Sequence, residues 1–350
     1  MSGFSELIRQ RRVQVVGGVV VVVIVAAVAS LALAGGKGGG AATATTRGAS
    51  STTTIAKKPR AVIAPLTGVP DPTGGAAHRP ALTVKIENTN LADPQKGLEQ
   101  ADVVYEEVVE TGITRLLAIY QSQVPPVVGP VRSVRRTDQG VVTPIGGIFV
   151  YSGGAAYAIS SIQTAPVNIV DETRAGAAMF RDHSRKAPSN LYGIPSKLFA
   201  MGGKPVPPPP LFSYRKAHQK VAGPLVTHVG VGFGAGFSVS WQWDAARGAW
   251  TRAVDDPGLA ASGTHVAPAS VIVMLVNYAG GVGVIGSEAQ LVGQGNAVIF
   301  TAGHRIDGRW VRPDRAKPAK FVTSTGATIA LTPGQTWVEL APVGTPITSF

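Results

Sequence analysis

Residues Val13 to Ala34 read VQVVGGVVVVVIVAAVASLALA, 22 residues without one charge. A bilayer-crossing helix needs roughly 20 apolar residues in a row, and few soluble folds call for such a run. Arg9, Arg11 and Arg12 stand just before it, and positive flanks stay on the cytoplasmic side. The pattern predicts a cytoplasmic stub at 1–12 and a single-pass transmembrane signal-anchor at 13–34. Everything after it would be extracytoplasmic. The run closes on Ala32-Leu33-Ala34, a small-residue pattern that signal peptidase cuts. It is longer than the about 7–15 apolar residues of a cleaved signal, so retention in the cell membrane is the expectation. Membrane lipid is then a partner through residues 13–34.

Residues 35–60 are Gly, Ala, Ser and Thr with scattered Lys and Arg. Such composition cannot bury enough apolar surface to order itself, and a flexible tether is expected.

The net charge of +12 invites a nucleic-acid reading, but its distribution argues otherwise. Residues 1–60 hold eight Lys/Arg and one acid, which leaves only +5 for residues 61–350. A nucleic-acid footprint should be a basic face on the folded part; here the excess sits beside the anchor, so no nucleic-acid partner is expected. The chain has no cysteine. That excludes disulfides, thiolate chemistry and a lipid-modified cysteine, and fits a bacterial cell surface.

Fold class reads as α+β. Leu82, Val84 and Ile86 alternate within Ala81–Asn88, which marks a strand. Ala101–Val109 and Ile113–Gln121 are apolar, β-branched runs around a Thr111-Gly112 loop, which predicts a two-residue hairpin. Gly147–Tyr151 is a further short strand. Helices are expected after Pro130, Gly154 and Pro195. No clean βαβ rhythm appears, so the first region, 61–204, is a mixed-sheet domain. Five prolines in seven residues at 204–210 make a semi-rigid spacer, with the linker at 205–210. Beyond it, 211–350 reads as a mostly β domain. Its strands are expected at Phe237–Trp243, Val271–Val276, Asn296–Thr301, Arg309–Arg312 and Trp337–Leu340, with a hairpin turn at Asp307-Gly308.

Three groups of side chains could carry chemistry. A two-residue hairpin loop would put Glu106, Val108 and Glu110 on one face with Arg115 opposite Val108. Arg115 would then reach both carboxylates. In Gly129-Pro-Val-Arg-Ser-Val-Arg-Arg136, a helix after Pro130 would gather Arg132, Arg135 and Arg136 on one side. Like charges so placed repel unless an anion or carboxylates lie between them. The two readings are an anion site or internal neutralisation by Asp102, Glu106 and Glu110. The third group, Phe180 to Tyr192, holds Arg181, Asp182, His183, Arg185 and Asn190 in an expected loop, where His183 could transfer protons near neutral pH.

No metal-ligand spacing is found among the six histidines, and no P-loop or dinucleotide fingerprint follows a strand. Tyr151-Ser-Gly-Gly154 is not a nucleophile elbow. No metal and no cofactor are expected, and no catalytic residue is assigned.

Several of these motifs together resemble the YerB-like family of bacterial proteins, DUF3048, a family of unknown function. The run includes Pro65-Leu-Thr-Gly68, Arg79-Pro-Ala-Leu-Thr-Val-Lys-Ile-Glu-Asn88, Pro94 to Glu106, Gly112-Ile-Thr-Arg115, Gly129-Pro-Val-Arg-Ser-Val-Arg135 and Arg185-Lys-Ala-Pro-Ser-Asn-Leu-Tyr192. Pro333-Gly-Gln-Thr-Trp-Val338 matches near the end. The resemblance implies two domains on an exported, membrane-attached protein and no particular reaction. Family members are often lipoproteins; with no cysteine, the helix must replace the lipid here. Tyr151 and Ser189 stand where the family pattern has histidine, which favours binding over catalysis.

The function expected first is an envelope protein holding an anionic wall polymer or an envelope protein in an Arg-lined cleft. Arg115, Arg132, Arg135, Arg185 and Asn190 would bind, with Glu106 and Glu110 as supporting carboxylates. The alternatives are a cell-wall glycan or peptide hydrolase or transferase using Glu106 and Glu110, and a structural role in envelope assembly.

Overall fold

The computed structural model describes residues 61–202, 205–234, 237–254 and 266–350. The stub, anchor and tether expected at 1–60 lie outside them. Among the described residues no helix is long and apolar enough to cross a membrane.

The main strands are β1 (Leu82–Glu87), β2 (Val103–Val108), β3 (Thr114–Tyr120), β4 (Ile148–Val150), β5 (Asn168–Val170), β6 (Met179–Arg181), β7 (Leu191–Gly193), β8 (His228–Gly234), β9 (Phe237–Asp244), β10 (Ala249–Val254), β11 (Ser270–Val276), β12 (Gly293–Thr301), β13 (His304–Arg312), β14 (Lys320–Val322), β15 (Thr336–Pro342) and β16 (Ile347–Ser349). The helices are short: α1 (Arg136–Val142), α2 (Ala156–Ile162), α3 (Glu172–Ala175) and α4 (Pro195–Ala200).

Ten strands form one sheet in the order β14-β13-β12-β11-β15-β2-β3-β1-β4-β5. It is mixed. β15 runs parallel to both β11 and β2, and β1, β4 and β5 are parallel, while β2, β3 and β1 are antiparallel. The proline-rich segment 205–210 carries no regular structure, yet the strands on its two sides share this sheet. β15, from the second region, sits beside β2, from the first. A four-stranded sheet, β10-β9-β8-β16, lies apart from it in pairing.

Both faces of the large sheet are covered. On one face Val103, Leu117, Ile119, Phe149, Ile272 and Val338 pack with Val141 and Val142 of α1 and Ala158 and Ile162 of α2. On the other, Val84, Ile86, Leu116, Val271 and Trp337 pack with Val229, Val239 and Trp241 of the four-stranded sheet and with Leu198 of α4. The alternation in β1 is therefore real, but neither face is wet. All six residues of β1 are buried, Thr83, Lys85 and Glu87 included.

Three local expectations are corrected. The β2–β3 connection is not a two-residue hairpin. Val109 and Ile113 close a five-residue loop, with Thr111 at φ 65°, so Val108 pairs with Thr114 and Glu107 with Arg115. A one-residue slip moves side chains to the opposite face, and Arg115 shares its face with Glu107 rather than Glu106. No helix follows Pro130 directly. Residues 129–132 run extended, with Val131 bridged to Ile86 and Arg132 N donating to Lys85 O at 2.9 Å; helix α1 starts only at Arg136.

Asp307-Gly308 is not a turn either. β13 runs straight through it, and the turn is Ala302-Gly303, both at positive φ, as a tight hairpin demands. Gly308 answers a steric need instead, since a Cβ there would stand 2.6 Å from both Ile329 Cδ1 and Val322 O.

Candidate functional site

The polar positions of β1, β2 and β3 on the α1 side meet the start of α1 and build a charged network inside the molecule. Lys85, Glu107 and Asp138 are its centre. The Lys85 ammonium is fully buried, 2.7 Å from Asp138 Oδ1 and in direct contact with Glu107. Asp138 also accepts the Arg135 N–H at 2.8 Å, capping the first turn of α1. Burial, with the Glu107 charge, raises Asp138 to about 7 against the pull of Lys85.

Arg132 and Arg135 of the Gly129–Arg136 motif lie beside this centre. Arg132 lies 3.4 Å from Glu87, and Arg135 lies 2.8 Å from Glu110. Burial opposes ionisation of Glu110, but the Arg135 hydrogen bond and charge, with Arg115 beyond, hold it below the usual carboxylate value. Arg115 is the least satisfied member. It is only 7% exposed and among the described residues makes one hydrogen bond, NH1 to Ser133 O at 3.3 Å. Burial, then the charges of Arg135 and Arg132, lower its affinity for a proton to about 10. Arg132 and Arg135 thus gather beside Arg115, on an extended segment rather than a helix, while Arg136, expected with them, lies over the Tyr157 ring at 5.2 Å. Glu87 answers Arg132 and Glu110 answers Arg135, while Glu107 and Asp138 are taken by Lys85. Asp102 lies elsewhere, accepting the Ser122 N–H at 2.8 Å.

Glu106 is on the other face and fully enclosed. Arg252 donates to both its oxygens at 2.8 Å. Thr114 Oγ1 at 2.6 Å, Asn88 Nδ2 at 3.0 Å and Trp337 Nε1 at 3.2 Å complete its shell. Glu106 and Glu110 therefore serve different arginines and do not act as a pair.

Arg185 and Asn190 belong to the loop between β6 and β7. Arg185 donates to Leu91 O at 2.7 Å, Asp93 O at 3.0 Å and Tyr192 Oη at 2.8 Å, tying the loop to residues 91–93. Asn190 Oδ1 accepts from Arg181 at 2.9 Å. His183 is exposed. Among the described residues no group of three His, Asp or Glu is placed to hold a metal.

Sequence reasoning missed Lys85, Glu107, Asp138, Arg252 and Glu339. A signal existed for some of them. Lys85 and Glu87 interrupt β1 on the face opposite Leu82, Val84 and Ile86, and Asp138 stands three residues after Arg135, where a capping carboxylate belongs.

A mixed ten-stranded sheet, backed by short helices on one face and a second sheet on the other, with charged pairs buried on both sides, defines an α+β protein. The chain belongs to the DUF3048 family of proteins of unknown function. The family's N-terminal domain matches residues 66–204 and its C-terminal domain residues 229–338. A relative in Bacillus subtilis (strain 168), which carries the name "Putative lipoprotein YerB", is 36% identical over 130 residues, covering 37% of this chain and 39% of its own length. The crystal structure of the YerB protein from Bacillus subtilis superposes with a TM-score of 0.68 at 24% identity, covering 82% of this chain and 99% of that one, a likeness of fold.

Proposed function

We propose that this chain is a membrane-tethered, extracytoplasmic envelope protein that binds an anionic group without transforming it. Arg115, Arg132 and Arg135 would receive the anion. The reading is carried by Arg115, a buried guanidinium with one described hydrogen bond standing beside two like charges. A guanidinium offers five N–H donors in a planar fork that suits a carboxylate or phosphate. An arriving anion would meet those donors and relieve the repulsion between the arginines. In this reading Glu87 and Glu110 orient Arg132 and Arg135, while Arg185 and Asn190 shape the neighbouring loop. The uncharged run at 13–34 and the lipoprotein name of the Bacillus relative support the address. The enclosure of Glu106, together with its pairing to Arg252, speaks against the wall-hydrolase alternative, in which it would be an acid or base.

The test uses full-length protein in zwitterionic nanodiscs, with inorganic phosphate and soluble wall-polymer fragments as probes. Binding is expected to be weak and to fall with added salt. It should be lost in the Arg132→Ala, Arg135→Ala double variant while circular dichroism is unchanged. Equal binding by the folded double variant and the wild type overturns the proposal.

A further inference from the structure

A second cationic side chain is buried far from this network in the sheet order, with less compensation. Arg312, at the end of β13, is 4% exposed. Its NH2 donates to Arg315 O at 2.5 Å, its Nε has no partner, and no ion pair forms with it among the described residues. Asp314, two residues on, acts on it only from beyond ion-pair distance; a buried guanidinium without a paired carboxylate is costly and points to a missing anion.

The space around Arg312 is shaped for one. Arg312 and Tyr105 of β2 line a small cavity of about 20 Å³, room for one or two oxygen-sized groups. Its walls include Leu211, Phe212, Pro318, Ala319 and Phe321. The same five residues line an adjoining groove of about 420 Å³, whose further wall is Ile329 and Leu331. An apolar groove of this size with a few polar groups at one end is how small-molecule sites are built. The exposed Lys317 and Lys320 stand at the groove, where they attract negative ligands from solution.

We propose that this groove binds a small organic acid, its aliphatic or aromatic body on Phe212, Phe321 and Ile329 and one carboxylate oxygen in the cavity against Arg312 and Tyr105. The site is independent of the Arg115 network. The phenol is suited to donate to that carboxylate, because burial raises Tyr105 to about 12 and keeps it protonated. Arg312 loses some basicity to burial but stays charged at neutral pH.

The experiment is titration calorimetry on the full-length protein in nanodiscs, with empty nanodiscs as the blank. The probes are 3-phenylpropionate, the uncharged 3-phenyl-1-propanol, and acetate as the head group alone. The acid should bind at least about tenfold tighter than either comparator, the worth of one charge-assisted hydrogen bond. Arg312→Met should remove that advantage, leave the alcohol unaffected and keep or raise the melting temperature, because it deletes a buried charge that has no ion pair. Ala319→Trp, which fills the shared wall with Arg312 intact, should abolish binding of the acid. The Arg132→Ala, Arg135→Ala variant should bind it as the wild type does. Equal affinity for acid and alcohol, no binding at millimolar acid, a large drop in melting temperature for Arg312→Met, or full acid affinity in Ala319→Trp would each overturn the proposal.

Discussion

Glu106 and Glu339 stand directly opposite one another on the parallel strands β2 and β15, both completely buried. Burial first, and the Glu106 charge second, push Glu339 well above the ordinary carboxylate value. That direction favours the protonated form of Glu339. Arg252 serves Glu106, and its guanidinium lies 5.1 Å from the Trp337 ring centroid. Trp241 Nε1 donates to Glu339 at 3.0 Å. The Glu106–Glu339 pairing joins strands that lie on either side of the proline-rich segment in the chain.

Glu339→Gln should therefore be mild, because the amide, like the protonated acid, places no second charge beside Glu106. Glu106→Gln should be severe, with a loss of about 3–5 kcal/mol, since it breaks a fully buried ion pair and removes the carboxylate that Thr114, Asn88 and Trp337 also serve. Denaturant unfolding of the two variants checks the asymmetry; equal losses would refute the assignment of the proton to Glu339.

The same shift fixes a pH dependence. A carboxyl whose folded value is raised binds its proton more tightly in the native state. Its contribution is full below the unfolded value and fades as pH climbs toward the folded one. For Glu339 that decline starts above 4.5. Melting temperatures from pH 4.5 to 9 should fall less steeply in Glu339→Gln than in the wild type.

Asp138 extends the argument to the other face. Its folded value is about 7 against 3.8 unfolded, so it also stabilises most at low pH and progressively less up to neutrality. Lys85→Met removes the cation between Asp138 and Glu107 and should cost about 3–5 kcal/mol at pH 8. Part should return at pH 5, where Asp138 is protonated. A loss independent of pH would show that packing, not charge, dominates at Lys85.

Gly308→Ala should destabilise by about 1–3 kcal/mol, the usual range for overfilling a packed core, because its Cβ would meet Ile329 and the Val322 carbonyl at 2.6 Å. A thermal melt decides. Were residues 307–308 a free turn, alanine would be nearly silent.

Much of the fold was legible because it depends on short-range pattern. Leu82, Val84 and Ile86 announce a strand, and α2 and α4 start where Gly154 and Pro195 suggest. The hairpin at residues 109–113 was not legible, since Thr111-Gly112 looks like a two-residue turn and only the bond from Val109 to Ile113, with Gly283 O receiving the Thr111 N–H at 2.8 Å, sets the longer loop. That single residue of register decides whether Arg115 meets Glu106 or Glu107.

The sequence by itself determined the family, the mixed α+β character and the clustering of Arg132 and Arg135, because these reside in contiguous residues. Only the tertiary structure decided which carboxylate answers which cation. Glu106 finds Arg252 and Trp337, 146 and 231 positions away, and Lys85 finds Asp138, 53 away. Alternation says that a residue faces one side of a strand. Which charge waits there depends on strand order and register, and these are fixed by the closing of the whole sheet.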